Sequence, residues 1–397
     1  MLINKKLLVI GAGLAQLDAI KKAVDMGYHV LASDGSPAAA GLKIAHETRT
    51  IDVKDVKGTL AWAREAKIDG VISYASDITL PTVLAVRETL GLPGLGKVPM
   101  EVSLDKSRQR MRFKKAGLPQ PDFEIIENEY DLDKAVKRIE FPLVIKPVDN
   151  SGSRGVTVAD NKGELPSAYL AAKENSKKGL VIIEEFIEGT ELTIEGFSID
   201  GSHHILAMSD KYKPDGSYRV ATQLAYPAAI SSEQELEIIK IMSAAYDAAG
   251  VDNTPTHSEV ILSPSGPKIV EIGCRGGGFF VFTKVVEAAS GYDIVANWTR
   301  LCAGDPVDEI KISKRGVVLG FYAGTPGRLV RVQGFEKAQA MDGVETGLFI
   351  HPGEIIPELK TDGSRTGWMI VRAQNRNLAV ERARRIHNIV KFETVPL

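Results

Sequence analysis

From Lys5 to about Leu90, short apolar runs alternate with segments of helical periodicity: KLLVIGAG, a stretch near Leu14 to Met26, YHVLASD, another near Val56 to Ala66, GVISYAS, and a third near Pro81 to Leu90. Continuous apolar runs separated by amphipathic segments predict buried parallel strands joined by crossover helices. The glycine- and proline-rich GLPGLGKVP then reads as a boundary. A helix is expected from Asp105 to Ala116. The strands FEIIE, LVIKP, VTVAD, LVIIEEF, LTIEGFSID and HHILAMSDKY follow, with helices near Leu132 to Ile139 and Leu165 to Glu174. Their close spacing points to antiparallel pairs. A helix near Ser232 to Ala249, two strands around SPSGP, and short strands with an arginine-rich helix from Lys314 to Leu397 complete the pattern. The expected fold class is mixed: α/β in a Rossmann-like parallel-sheet domain over 1–104, and α+β in a central domain over 105–312 and a small C-terminal domain over 313–397.

Composition adds size and compartment. The 397 residues, 44% hydrophobic and 25% charged, suffice for a large core divided among two or three domains. A formal net charge of −2 gives no basic field for a nucleic-acid backbone, and the basic clusters are short and mixed with acids. Two cysteines, Cys274 and Cys302, without a CxxC pair or zinc spacing, suit a reducing compartment. No run approaches the roughly 18 apolar residues of a membrane span. MLINKKLLVIGAG passes into a strand-turn-helix pattern without a cleavage signal. A soluble cytoplasmic protein with neither nucleic acid nor membrane as partner is expected.

Two glycine-rich motifs invite a nucleotide reading and fall short of it. GAGLAQ gives Gly11 and Gly13 of a dinucleotide fingerprint, with Asp34 ending the second strand where a ribose-binding acid would sit, but Gln16 replaces the third glycine. A tight turn between strand and helix explains the same glycines. GLPGLGKV fits GxxxxGK, yet offers Val98 where a hydroxyl is required and has no strand before it.

Four other stretches carry chemistry. Lys146 closes the apolar run FPLVI and precedes SGSRG, where Gly152 and Gly155 tolerate unusual dihedrals and Ser151 and Ser153 add hydroxyl donors. Such a loop folds over phosphates with the lysine charge at its base, although a solvated hairpin tip has the same composition. In THSEVILSPSGPKIVEIG, a turn centred on Ser265 puts Glu259 and Glu271 opposite one another. Opposed carboxylates, about 4.5–5.5 Å apart at Cβ, repel unless a cation lies between them. Mg²⁺ (or Mn²⁺), which keeps waters and takes phosphate oxygens, suits two carboxylates. Arg275 opens the triple-glycine turn of GCRGGGFF and offers a planar fork for carboxylate or phosphoryl oxygens. Cys274 beside it lacks a histidine pattern and reads as an inert thiol. VIIEEFIEGTELTIEGF turns at Gly189, where Glu191 suits ribose hydroxyls and Glu184 with the backbone near Ile187 suits a purine edge; solvated acids on a hairpin are the competing explanation.

In order along the chain, Lys106 in DKSRQRMRFKKAGLPQP, Lys146 with its serine-glycine loop, EEFIEGTE, and SEV with EIGCRGGG resemble the motifs of the ATP-grasp superfamily of carboxylate-amine ligases, from about Asp105 to Gly304. The flanking segments look like those of the biotin carboxylase and phosphoribosylglycinamide synthetase branch, which includes L-amino acid ligases. The resemblance implies an ATP-grasp fold with a lid at about 118–190 and ATP with Mg²⁺ as cofactors. It implies that Lys106 and Lys146 meet ATP phosphates beneath the Ser151 to Gly155 loop, that Glu184, Glu185 and Ile187 surround adenine, and that Glu191 binds ribose. Glu259 and Glu271 would hold the metal, and Arg275 would face the reacting phosphoryl and carboxylate oxygens. Gly273 departs from the family's Glu-Ile-Asn-Pro-Arg, removing an asparagine ligand.

The implied activity is ADP-forming ligation of a small-molecule carboxylate and amine through an acyl phosphate. An amino acid-type substrate ranks ahead of a phosphoribosylglycinamide synthetase-like or carboxylase role in purine biosynthesis. No MKM-type biotin acceptor occurs. MSDKYKPDGSYRVATQLAYP, with Lys211, Tyr212 and Arg219, is expected to border the acceptor site. A homodimer is an admissible assembly, and a nucleotide- or NAD-binding oxidoreductase or sensor on the N-terminal sheet is the alternative from another class.

Overall fold

Unalternating apolar runs suit a sheet covered on both faces, and Leu7, Leu8, Val9 and Ile10 have no solvent exposure. In the computed structural model, which describes residues 5–214 and 220–397, they form a strand of a four-stranded parallel sheet. Its order is Glu47–Thr50, His29–Asp34, Lys6–Ile10, Gly70–Ile72. The helices Leu17–Asp25, Val56–Ala66 and Leu80–Leu90 lie between its strands and beyond the last. The strand Glu47–Thr50 escapes apolar patterning because it is a polar edge.

GLPGLGKVP is more than a boundary: Lys97–Ser103 is a helix, and Pro99 falls in its first turn, where a missing N–H goes unnoticed. The helix expected over Leu132 to Ile139 instead closes after Ala135, whose carbonyl accepts from both Arg138 and Ile139 N–H groups and tightens the chain out of helical geometry.

Besides a three-stranded antiparallel sheet near the C-terminus, ordered Ile355–Ile356, Gly327–Gln333, Lys391–Val395, two antiparallel sheets follow. A small one has the order Phe123–Ile126, Val181–Glu185, Leu143–Pro147, Thr157–Ala159. Its apolar face, with Ile145, Val181 and Ile183, packs on the helix Leu165–Glu174 through Tyr169. The other has eight strands, ordered Gly266–Gly273, Thr254–Ser263, Thr190–Ile199, Ser202–Tyr212, Gln223–Tyr226, Gly316–Tyr322, Gly367–Ala373, Val344–Leu348. Gln223–Tyr226 pairs with Gly316–Tyr322, so strands on both sides of residue 312 share one sheet. One apolar cluster, containing Val9, Tyr74, Phe197, Phe282, Trp298, Leu319 and Ile370, joins all three parts of the chain.

The crossing from the small sheet to the large one turns at Gly189, with φ +155°; a Cβ there would lie 2.3 Å from the Leu262 carbonyl oxygen. Only glycine meets both demands. Gly189→Ala is therefore expected to destabilise the protein by about 2 kcal/mol or more, seen as a lower urea midpoint. An unchanged midpoint would show that the crossing relaxes freely.

Candidate active site

Between the two antiparallel sheets and the C-terminal end of the parallel one lies a cavity of about 570 Å³. Of the residues singled out in sequence, Lys106, Lys146, Ser151, Gly152, Ser153, Glu184, Glu185, Ile187, Glu191, Glu259, Glu271 and Arg275 line it. Gly155 stands outside. Its φ is +74° and a Cβ would meet Asn175 Cβ at 2.7 Å, so it shapes the loop without facing the cavity.

Lys106 is the first residue of the helix Lys106–Lys115, capped by Asp105, whose carboxylate accepts from Ser107 and Arg108 N–H groups at 2.9 and 3.2 Å. A cation at a helix N-terminus opposes the helix dipole, which makes this a costly position unless an anion is brought to it. Lys106 Nζ donates to Glu271 at 2.9 Å and to the Asn150 carbonyl at 2.8 Å. Burial works against its charge, but Glu271, Asp77 and Glu184 outweigh burial and raise its pKa.

The same helix presents Arg110, whose side chain is 1% exposed. Its fork donates to both oxygens of Glu184, at 2.8 and 3.1 Å, and to the Ile269 and Val270 carbonyls. Lys146 Nζ lies 2.7 Å from the same carboxylate. Glu184 is thus shared by two buried cations. Burial disfavours its charge, yet Arg110 and Lys146 hold it at about 2. Lys146 moves the other way: burial and the repulsion of Arg110 and Lys106 exceed the pull of Glu184 and lower its pKa. Of the two lysines, Lys146 is the less compensated by its surroundings. Above it the loop takes positive φ at Gly152, Ser153 and Gly155.

Glu259 and Glu271 do face each other across the hairpin. The route differs from the symmetric turn expected. Ser263 pairs with Gly266, so the turn centres between Pro264 and Ser265, and a bulge between Glu259 and Val260 restores the pairing. Glu259 accepts from Lys211 at 2.5 Å. Lys211 also lies 2.8 Å from Glu191, which Lys213 bonds from its other side. Burial opposes charge on Glu259, but Lys211, Lys213 and His257 drive its pKa far down.

Sequence reading missed several groups. Asp77 receives the Arg275 fork at 2.9 Å on each oxygen. His257 lines the cavity and bonds Glu195, its direct neighbour across the strands, through Nδ1 at 2.7 Å. The T-H-S-E spacing put His257 on the same face as Glu259 and was a usable signal; nothing local marks Asp77. Of the expected acceptor residues, Lys211 lines the cavity. Tyr212 points away, 43% exposed, with its hydroxyl accepting from Arg376, because successive strand residues face opposite sides. Arg219 lies outside the described residues.

The other sequence readings resolve simply. Burial pushes the Cys274 thiol up to about 12, consistent with an inert group. Asp34 is spent on the Ala12 and Ser36 N–H groups, which ties up the acid a dinucleotide ribose would need.

Removing the Glu184 charge should expose this dependence. Glu184→Gln leaves Arg110 and Lys146 buried beside a neutral group, at an expected cost of about 3–5 kcal/mol at pH 7. The folded pKa lies below the unfolded one, near 4.3, so this contribution is complete above that value and is lost as pH falls through about 2. The gap in denaturant midpoint between wild type and variant should narrow below about pH 4; a gap constant in pH would contradict the assignment.

Residues 139–282 match the family described as the ATP-grasp domain, and residues 320–395 match L-amino acid ligase C-terminal domain 2. Uncharacterized protein y4rH of Sinorhizobium fredii is 26% identical over 318 residues, spanning 79% of this chain and 65% of its own. Formate-dependent phosphoribosylglycinamide formyltransferase of Methanococcus maripaludis is 26% identical over 316 residues, 77% of this chain and 78% of its own. This chain thus covers just under two thirds of the first relative's length. The solved L-amino acid ligase of Bacillus licheniformis shares the fold with a TM-score of 0.87 at 22% identity, over 99% of both chains. With the cavity lined by the motif residues singled out in sequence, the chain carries an ATP-grasp domain followed by an L-amino acid ligase C-terminal domain 2.

Proposed function

We propose that the protein is an ATP-dependent ligase that joins a small-molecule carboxylate, an amino acid or similar metabolite, to an amine through an acyl phosphate. The observation that carries this reading is the convergence on one cavity of Lys106 and Lys146, the opposed Glu259 and Glu271, and the Arg275 fork. A carboxylate is a poor acyl donor because its oxygen leaves badly. Attack of a carboxylate oxygen on the γ-phosphorus, with cleavage of the bond to ADP, makes the acyl phosphate. The amine then attacks the acyl carbon, the C–O bond breaks, phosphate departs and the amine loses a proton.

Catalysis of this kind is positioning and charge neutralisation. Lys106 and Lys146 seat the phosphates, Arg275 neutralises charge spread over the transferring group, and the serine-glycine loop keeps water from the acyl phosphate. ATP-grasp enzymes use ATP with Mg²⁺. Among the described residues no group of three or more His, Cys, Asp or Glu side chains is placed to hold a metal. Two carboxylates nevertheless fit Mg²⁺, which retains waters and takes nucleotide oxygens. Glu259 and Glu271 each already bind an ammonium, so their setting is one that calls for cationic charge. Mg²⁺ there would neutralise the phosphoryl oxygens during transfer. Gly273 adds no ligand; the tightest contact a Cβ there would make is with the His257 carbonyl oxygen across the hairpin, at 3.2 Å. The small-molecule partners, a cytoplasmic setting and a homodimer belong to the same reading; among the described residues no helix is long and apolar enough to cross a membrane.

The test is to incubate the protein with ATP, Mg²⁺ and pooled amino acids and metabolites, then look for ADP and new masses. With hydroxylamine in place of the amine, a hydroxamate should form with ADP and phosphate. AMP and pyrophosphate would mean an acyl-adenylate route and sink the mechanism. Arg275→Ala should lower turnover about a hundredfold with little change in ATP affinity, whereas Lys146→Ala should weaken ATP binding itself.

A further inference from the structure

Arg365 belongs to none of the motifs above. It follows the turn Asp362–Ser364 in the C-terminal part, yet its side chain lines the cavity and is only 4% exposed. The guanidinium lies 3.7 Å from the Phe321 ring centroid and 4.8 Å from that of Phe279. Nη2 donates to the Ala221 carbonyl at 2.8 Å and lies 2.7 Å from Asp362 Oδ1, while Nε is buried without a partner among the described residues. Burial pulls its pKa down to about 10 against the pull of Asp362. A buried donor left unpaired is costly and calls for an acceptor.

Phe279 adds an independent sign. It follows three glycines and takes φ +45°, a conformation that a bulky residue rarely adopts and that is retained where function requires it. Its ring meets Phe321 and Phe349 edge-on and helps wall the cavity.

Resting on the ligase reading, we propose that Arg365 anchors the non-reacting carboxylate of an amino acid acceptor whose apolar side chain packs on Phe279 and Phe321. Arg275 is committed to Asp77 and the phosphoryl end, and Arg365 reaches the same cavity from another part of the fold with donors to spare. A desolvated guanidinium framed by two rings is a strong seat for a planar anion.

The test is thermal shift and calorimetry on the full chain with Mg-ADP, using a panel of L-amino acids, their amides and inorganic phosphate as probes. At least one apolar amino acid should bind and its amide should bind roughly tenfold or more weakly. Arg365→Met should abolish the preference for acid over amide while keeping the Mg-ADP response, which also confirms that the variant is folded. Equal binding of acid and amide by wild type, no amino acid bound, phosphate preferred over every amino acid, or an intact preference in Arg365→Met would each overturn the proposal. Should Arg365→Met not fold, the wild-type comparison of acid with amide decides alone. No response of wild type to Mg-ADP would instead count against the ligase reading itself.

Discussion

The arrangement hangs on the buried contact between the helix Lys106–Lys115 and the edge strand Gly266–Gly273. An edge strand exposes a row of unpaired backbone groups. Here Gln109 takes both backbone groups of Ile272, its side-chain oxygen accepting from the N–H at 2.9 Å and its amide donating to the carbonyl at 3.0 Å. Arg110 donates to the Ile269 and Val270 carbonyls while gripping Glu184 in the small sheet. One helical turn therefore fixes the strand that carries Glu271, the sheet that carries Lys146, and the helix end that carries Lys106. Lys106 and Lys146, and with them Glu271, are set relative to one another by the same two side chains.

Such buried ion pairs are weak evidence for stability, because desolvation offsets much of the attraction. Their value here is placement. Glu184 is shared between Arg110 and Lys146, which leaves Lys146 short of negative charge in a site already stripped of water. An anion entering this space meets oriented cations and needs little reorganisation. The acids are treated likewise: Glu259, Glu271 and Glu191 each hold lysine ammonium groups, so the cavity stays close to neutral before nucleotide arrives.

The parallel sheet, the antiparallel hairpins and most of the charged residues lining the cavity were legible in sequence because their signals are local: apolar runs, turn residues, and lysines or acids placed where a strand ends. The partners were not. Lys106, Gln109, Arg110 and Phe113 are buried at helical spacing, but three of the four are polar, so the helix shows no apolar stripe and Arg110 reads as solvated charge. Asp77 pairs with Arg275 from 198 residues away, a distance at which no spacing rule operates. The facing of Glu259 and Glu271 was anticipated through two offsetting departures, a turn half a residue early and a bulge that corrected it.

The continuous eight-stranded sheet gives the cavity a division of labour. The groups suited to nucleotide and metal come from residues 106–275, and their ion pairs interlock. Phe279, Phe321 and Arg365 lie beyond them in the chain and share few of those bonds. Because Gln223–Tyr226 pairs on one side with Ser202–Tyr212, which carries Lys211, and on the other with Gly316–Tyr322, which carries Phe321, both walls are registered by backbone hydrogen bonds. Side chains on the far wall can then change without disturbing the acids and lysines on the near one. On the ligase reading proposed above, a fold built this way would alter what it accepts by changing a few residues after 275 while leaving the lysines and acids of the near wall in place.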